Sequence, residues 1–167
     1  MKKLLLLFLL LVGITVSIYA KKQGGIIPVN YYFVYSQATF DGKRASVYFQ
    51  KKYKDNGAAF KKRIARTFVR AANKESLNHK GYSLSNSTTA RYEVAIYFLG
   101  IDDDGEHRLV GKVFHKKSKK LVGTVNVHAK GGRRDTMEAL FIESLQRSGE
   151  KFGDKLADDV LDDLYRR

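Results

Sequence analysis

The residues of this sequence best suited to chemistry are cations. Lys62, Arg63, Arg66 and Arg70 recur at short, mostly three- and four-residue spacing in the stretch AAFKKRIARTFVRAANKESL, residues 58–77, with Lys61 beside them. Lys116, Lys117, Lys119 and Lys120 crowd a second stretch, KKSKK, and Arg133 and Arg134 follow two glycines in a third. Ammonium and guanidinium groups donate hydrogen bonds to phosphate and carboxylate oxygens, so the chemistry on offer is polyanion binding. The aromatic run Tyr31, Tyr32, Phe33 and Tyr35 has rings of the type that stack on bases. Nucleic acid is nevertheless not the expected partner, because the N-terminus carries an export signal and exported proteins seldom meet it.

Little else points to a reaction. The absence of cysteine removes thiol nucleophiles and thiolate metal sites, and the chain has no G-x-S-x-G elbow, Walker loop or H-E-x-x-H pair. Asp102-Asp103-Asp104-Gly105-Glu106 alternates acid and glycine as a calcium loop does, but it lacks the twelve-residue spacing and the distal glutamate. An Asp-Gly hairpin turn accounts for it. Of the four histidines, His79, His107, His115 and His128, the second and last come to one end of a hairpin, as zinc ligands would. Strand parity puts His107 on the core side and His128 on the other, so ordinary strand-end histidines are expected. No catalytic residue, cofactor or metal ligand is expected.

Stepping outward to the elements, the first twenty residues, MKKLLLLFLLLVGITVSIYA, give a basic start, an apolar run and a small residue before Lys21. This is the pattern of a secretory signal peptide cleaved after Ala20. The run over residues 4–19 is shorter than the ~20 residues a spanning helix needs, so no transmembrane span is expected in the mature chain. With no cysteine after the run, a lipid-modified N-terminus is chemically excluded. The expected organisation is a signal peptide over 1–20, a tether over 21–28 and a single α+β domain over 29–167, exported to the periplasm or beyond. The 167 residues carry a formal charge of +14, which loses Lys2 and Lys3 on cleavage. So basic a chain favours anionic surroundings.

Residues 58–77 predict an amphipathic helix with Phe60, Ile64, Phe68 and Ala72 on one face and the cations on the other. Asp55 or Asn56 is its expected cap, and Gly81 its left-handed exit. Residues 29–40 and 43–50, joined by Asp41-Gly42, predict an N-terminal β-hairpin. Residues 82–84 predict a short strand. Residues 91–101, 106–115 and 121–128 alternate as a three-stranded meander. Its expected registers pair Phe98 with Gly111 and Ile96 with Val113 in the first hairpin, and Val113 with Gly123 in the second. One apolar face then collects Val94, Ile96, Phe98, Leu109, Val113, Leu121, Val125 and Val127, onto which the helix should dock. Asp135 and Glu138 predict a capping box opening a last helix, continuous or broken near Gly149 or Gly153, whose acidic end would complement the basic helix. The fold expected is an antiparallel sheet, from the hairpin and the meander, covered by two amphipathic helices.

The opposite sheet face carries Ala95, Tyr97, Leu99, Val110 and Phe114, which is less polar than a solvated face. The expected cover is the protein's own N-terminal hairpin or tail. The alternative is a partner bound through Tyr97, Leu99, Val110 and Phe114.

Taken together, the helix over residues 60–77, the segment Gly81-Tyr82-Ser83-Leu84, the strand over 92–101, the pair 109–114 and 121–127 around a Lys-Ser-Lys turn, and the final helix resemble small bacterial envelope domains. These include the N-terminal domain of the Tol-Pal translocation protein, the periplasmic domain of the curli secretion lipoprotein, and related outer-membrane lipoproteins of unknown function. The chain departs from the lipoprotein members in lacking the lipidation cysteine. The resemblance implies a non-catalytic role in binding or assembly and transfers no functional residue. The expected function is a non-enzymatic cell-envelope module engaging an envelope protein or an anionic envelope surface. The alternatives are a small exported enzyme whose site assembles only in the fold, and a polyanion-binding protein.

Overall fold

The computed structural model describes residues 25–131 and 136–166. The expected signal peptide, most of the tether, and Arg133, Arg134 and Asp135 lie outside them. The elements in chain order are β1 (Ile27–Val34), β2 (Thr39–Phe40), β3 (Lys43–Arg44), α1 (Ala45–Lys52), α2 (Ala58–Ala72), β4 (Tyr82–Leu84), β5 (Tyr92–Ile101), β6 (His107–His115), β7 (Leu121–Ala129), α3 (Met137–Leu156) and α4 (Asp162–Arg166). A π-helical turn, Asn73–Leu77, and a 3₁₀ turn, Asn78–Lys80, extend α2, and a second π-helical turn, Ala157–Leu161, joins α3 to α4.

The sheet is mixed, which corrects the antiparallel expectation. β1 runs parallel to β4 on one side and to β5 on the other, with Tyr32 opposite Ala95, while β5, β6 and β7 form the antiparallel meander. β2 continues beside β5 where β1 stops, pairing Thr39 with Gly100. The expected N-terminal hairpin survives only as the two-residue ladder of β2 and β3 around Asp41-Gly42. Its return arm is α1 instead, because its buried residues Ala45, Tyr48 and Phe49 fall at helical spacing while Val47 is exposed. Three helices, α1, α2 and α3, therefore accompany the sheet rather than two.

α2 forms as expected. Phe60, Ile64, Phe68, Ala71 and Ala72 are its buried residues, and Asp55 accepts the backbone N–H groups of Gly57 at 3.0 Å and Ala59 at 2.9 Å. Gly81 leaves the helical segment at φ +82°, a conformation that costs a side-chain-bearing residue energy. Phe68 meets the Phe33 ring of β1 at 5.7 Å and the Phe152 ring of α3 at 5.2 Å, so α2 packs on the sheet and against α3 together. Val94, Ile96, Phe98, Leu109, Val113, Val125 and Val127 are all buried on this face with Ile64 and Phe68.

Two register details differ from expectation. The loop between β5 and β6 is longer than two residues, so Phe98 pairs with Leu109 and Ile96 with Gly111, a two-residue slip that preserves which side each faces. The second hairpin pairs Val113 with Gly123 as expected, but a bulge beyond it brings Leu121 opposite Phe114. Leu121 consequently leaves the core and is 48% exposed.

α3 runs unbroken through Gly149 and Gly153. Both are points of close approach, since a Cβ would lie 2.6 Å from the Phe68 carbonyl at Gly149 and 2.7 Å from the Ala72 carbonyl at Gly153. The cap of α3 is Thr136, and Asp135, the expected cap, lies outside the described residues. Thr136 Oγ1 accepts the Ala139 N–H, while Glu138 pairs with Lys52. Among the described residues, the acidic end of the chain meets the basic helical segment where Lys80 pairs with Asp158.

Candidate functional site

The cations of α2 stand on the face turned from the core, because the apolar residues at the complementary spacing are drawn onto the sheet and α3. Lys62, Arg63, Arg66 and Arg70 are all exposed. Lys62, Arg66, Arg70 and Lys74 follow one another at four-residue spacing, which aligns them along one stripe with about 6 Å between successive members. Lys74 meets the neighbouring Glu75 at 2.9 Å. Among the described residues the other three have no ion pair. Arg66, Thr67, Arg70, Lys74 and Glu75 with Gln146 of α3 line a shallow groove of about 370 Å³ between the two helices.

The remaining expected cations lie elsewhere. Lys116, Lys117, Lys119 and Lys120 occupy the connection between β6 and β7. Lys116 donates to the Ser87 carbonyl at 3.1 Å, and Lys119 pairs with Glu93 of β5 at 2.6 Å. The Glu93 side is the face opposite the helices. The structure thus divides the expected cationic set into a helix stripe and a strand-end cluster, and Arg133 and Arg134 lie outside the described residues.

The residues expected to bind a partner share that second face. Cross-strand rows place Val34, Tyr97 and Val110 side by side, then Tyr32, Ala95 and Lys112, then Glu93, Phe114 and Leu121. β1 lies within the sheet plane instead of across it, so the expected cover by an N-terminal hairpin is not there, and no described element crosses this face. Tyr32 is 46%, Leu99 38% and Leu121 48% exposed, while Tyr97, Val110 and Phe114 are half-buried. The Lys112 ammonium stands 5.3 Å from the centre of the Tyr97 ring.

Two polar clusters escaped the sequence reading. In the first, His107 Nε2 lies 3.0 Å from Ser148 Oγ, and Nδ1 lies 3.0 Å from Ser144 Oγ and 3.1 Å from the Gly105 carbonyl. Burial lowers the imidazole pKa to about 4, so the ring is neutral near pH 7. A histidine beside serine hydroxyls has the makings of a nucleophile and its base. Here both serines donate to carbonyls of their own helix, Phe141 and Leu145, and all three side chains are sealed from solvent. The readable signal was a pair of serines, Ser144 and Ser148, at four-residue spacing on the apolar side of a helix. In the second cluster, Glu138 receives the phenols of Tyr48 at 3.3 Å and Tyr53 at 3.2 Å, together with Lys52. Burial would raise the Glu138 carboxyl, but the Lys52 ammonium holds it below its usual range. Burial and the nearby Glu138 charge push the Tyr53 phenol up to about 12.

Asp102 to Glu106 form the β5–β6 loop, with the Asp104 carboxylate accepting the Glu106 N–H at 2.9 Å. His107 is buried and His128 exposed, on opposite sides as strand parity required. Among the described residues no group of three or more His, Asp or Glu is placed to hold a metal ion, and no helix is long and apolar enough to cross a membrane.

No known family matches the sequence and no curated protein is similar to it. Among solved structures, the chain is similar to a Xanthomonas campestris protein of the DUF330 family, at 10% identity over 81% of this chain and 87% of that one, with a TM-score of 0.45. It is similar also to the PelC dodecamer of Paraburkholderia phytofirmans, at 10% identity over 75% and 87%, with a TM-score of 0.42. A third is a candidate lipoprotein of Caulobacter crescentus, at 11% identity over 58% and 80%, with a TM-score of 0.34. None of the three is a Tol-Pal or curli protein, and at these TM-scores each is a distant likeness in chain path.

Proposed function

We propose that this chain is an exported, non-enzymatic module of the cell envelope that binds an anionic surface of phosphate-bearing headgroups through the α2 stripe. The observation that carries this reading is that Lys62, Arg66 and Arg70 stay exposed and unneutralised along one helical line. Like charges at this spacing weaken a helix by a few tenths of a kcal/mol per pair, so the stripe is a cost to the fold that a bound anion would offset. The acids of α3 and its extension are near enough to the α2 segment for Lys80 to reach Asp158, yet among the described residues Lys62, Arg66 and Arg70 have no ion pair. The groove sets Thr67 and Gln146 beside Arg66 and Arg70, and its one carboxylate, Glu75, is paired with Lys74. The sealing of the His107 cluster favours a binding role over a catalytic one.

Flotation of the full chain with phosphatidylglycerol vesicles, against pure phosphatidylcholine vesicles and across a salt series, tests the reading. Each basic residue near an anionic surface contributes about 1 kcal/mol, so Arg63→Ala/Arg66→Ala/Arg70→Ala should weaken binding on the order of a hundredfold. Binding that ignores salt, or that is equal on neutral vesicles, would remove the proposal.

A further inference from the structure

We infer that the open face of the sheet is a docking surface for a second protein, one that presents an apolar centre ringed by carboxylates. Of the large hydrophobic residues exposed among the described residues, Ile26, Tyr32, Val47, Leu99 and Leu121, three stand on this one face. With half-buried Tyr97, Val110 and Phe114 they form an aromatic and aliphatic patch spread over β1, β5, β6 and β7, crossed by Glu93 and Lys112. Four strands of about nine residues span roughly 20 Å by 30 Å, or about 600 Å², which falls at the low end of what one side of a specific protein interface contributes. The patch is flat and rich in tyrosine, the residue type that anchors protein interfaces.

The charges on the face select the partner. Of the carboxylates on this face among the described residues, Glu93 pairs with Lys119 at 2.6 Å and Glu106 hydrogen-bonds with His128 at 2.7 Å. Arg108 and Lys112 point outward from β6 with no carboxylate of their own among the described residues. The exposed Arg108 and Lys112 outnumber Glu106 on this face, so the complementary rim is acidic.

Other occupants fit less well. A second copy of the chain would bring Arg108 and Lys112 against their own kind. Growth of the sheet at the β7 edge is obstructed, because the Lys155 ammonium caps the Asn126 carbonyl at 3.0 Å and the Arg147 guanidinium caps the Gly131 carbonyl at 3.2 Å. A lipid surface is better met by the α2 stripe, which lies on the other side of the molecule beyond the helix layer. That opposition also means the two surfaces can be occupied at once, so a chain lying on an anionic surface would hold its sheet face outward. The inference stands on the sheet face alone and does not depend on the stripe reading.

The test is selection of a phage-displayed library of small helical-bundle scaffolds, randomised on one flat face, against the purified full chain. The expected clones carry Asp and Glu around an apolar centre. Their binding should fall about tenfold or more with Arg108→Glu/Lys112→Glu, and likewise with Leu99→Asp, but stay unchanged with Arg66→Ala/Arg70→Ala. Arg108→Ala/Lys112→Ala serves as the milder pair, and thermal melts of each variant identify any that fail to fold. Clones without acidic bias, or acidic clones lost with the α2 variant and kept with the β6 variant, would overturn the inference. Self-association in sedimentation that Leu99→Asp abolishes would overturn it in favour of a second copy. Vesicle binding that follows the β6 charges would overturn it in favour of a lipid surface.

Discussion

Ser148 Oγ sits 3.0 Å from His107 Nε2 in a part of the core that solvent does not reach. The contact ties α3 to the start of β6, and burial keeps the ring neutral near pH 7.

Stability should therefore depend on acidity through this histidine. Its pKa falls from an ordinary 6.5 to about 4 in the folded chain. Between these values the unfolded chain takes up a proton that the folded one refuses, so stability present above pH 6.5 is lost as the pH falls towards 4. The shift corresponds to about 3 kcal/mol. Urea unfolding at a series of pH values should show this loss, and His107→Gln should flatten the slope in that window. An unchanged slope in the variant would assign the acid sensitivity to carboxylates.

Alanine at Gly149 or Gly153 should destabilise the protein. In an open helix the change would gain about 1 kcal/mol. Here the new Cβ would lie 2.6 Å or 2.7 Å from a carbonyl oxygen of α2. The helices would have to separate, at a cost of about 1–3 kcal/mol. A lowered melting temperature for both variants is the expected result.

Phe68→Ala should cost about 3–5 kcal/mol, since the ring is fully buried between β1 and α3 and its removal leaves a cavity. The measurement is chemical denaturation. A loss below about 1 kcal/mol would place α2 elsewhere on the sheet.

Lys62→Glu should raise stability while lowering anion binding. The carboxylate would stand in the first turns of α2, where the helix dipole favours negative charge, and four residues before Arg66, where it can pair. A gain of a few tenths to about 1 kcal/mol is expected in thermal melts. Opposite signs for stability and vesicle binding would tie the stripe to function; a loss of stability would contradict the geometry of α2.

Much of the fold was legible wherever one periodicity dominated. The α2 stretch, the meander and its second register follow from apolar spacing alone, and the parity of His107 and His128 survived even a two-residue slip between β5 and β6, because an even slip leaves every side chain on its own face. The arm after Asp41-Gly42 was misread because Val47 and Phe49 also satisfy a two-residue period, and the buried Tyr48 settled the matter only in the tertiary structure. The parallel placement of β1 was missed because the crossover to β4 and β5 runs through α1 and α2, and with the arm after Asp41-Gly42 taken as a strand that strand–helix–strand connection did not emerge. The site was legible as two groups of residues, on α2 and on the sheet face. Their separation to opposite sides of the molecule needed the topology.

The seat of β1 constrains how this protein comes into being. Asn30 pairs with Glu93 and Ile27 with Tyr82, so β1 has no strand neighbour until β4 and β5 follow it in the chain. Loop closure over such a distance is slow compared with the formation of α2 or the meander hairpins. The aromatic segment over residues 31–35 thus stays unpaired during synthesis until the middle of the chain is made.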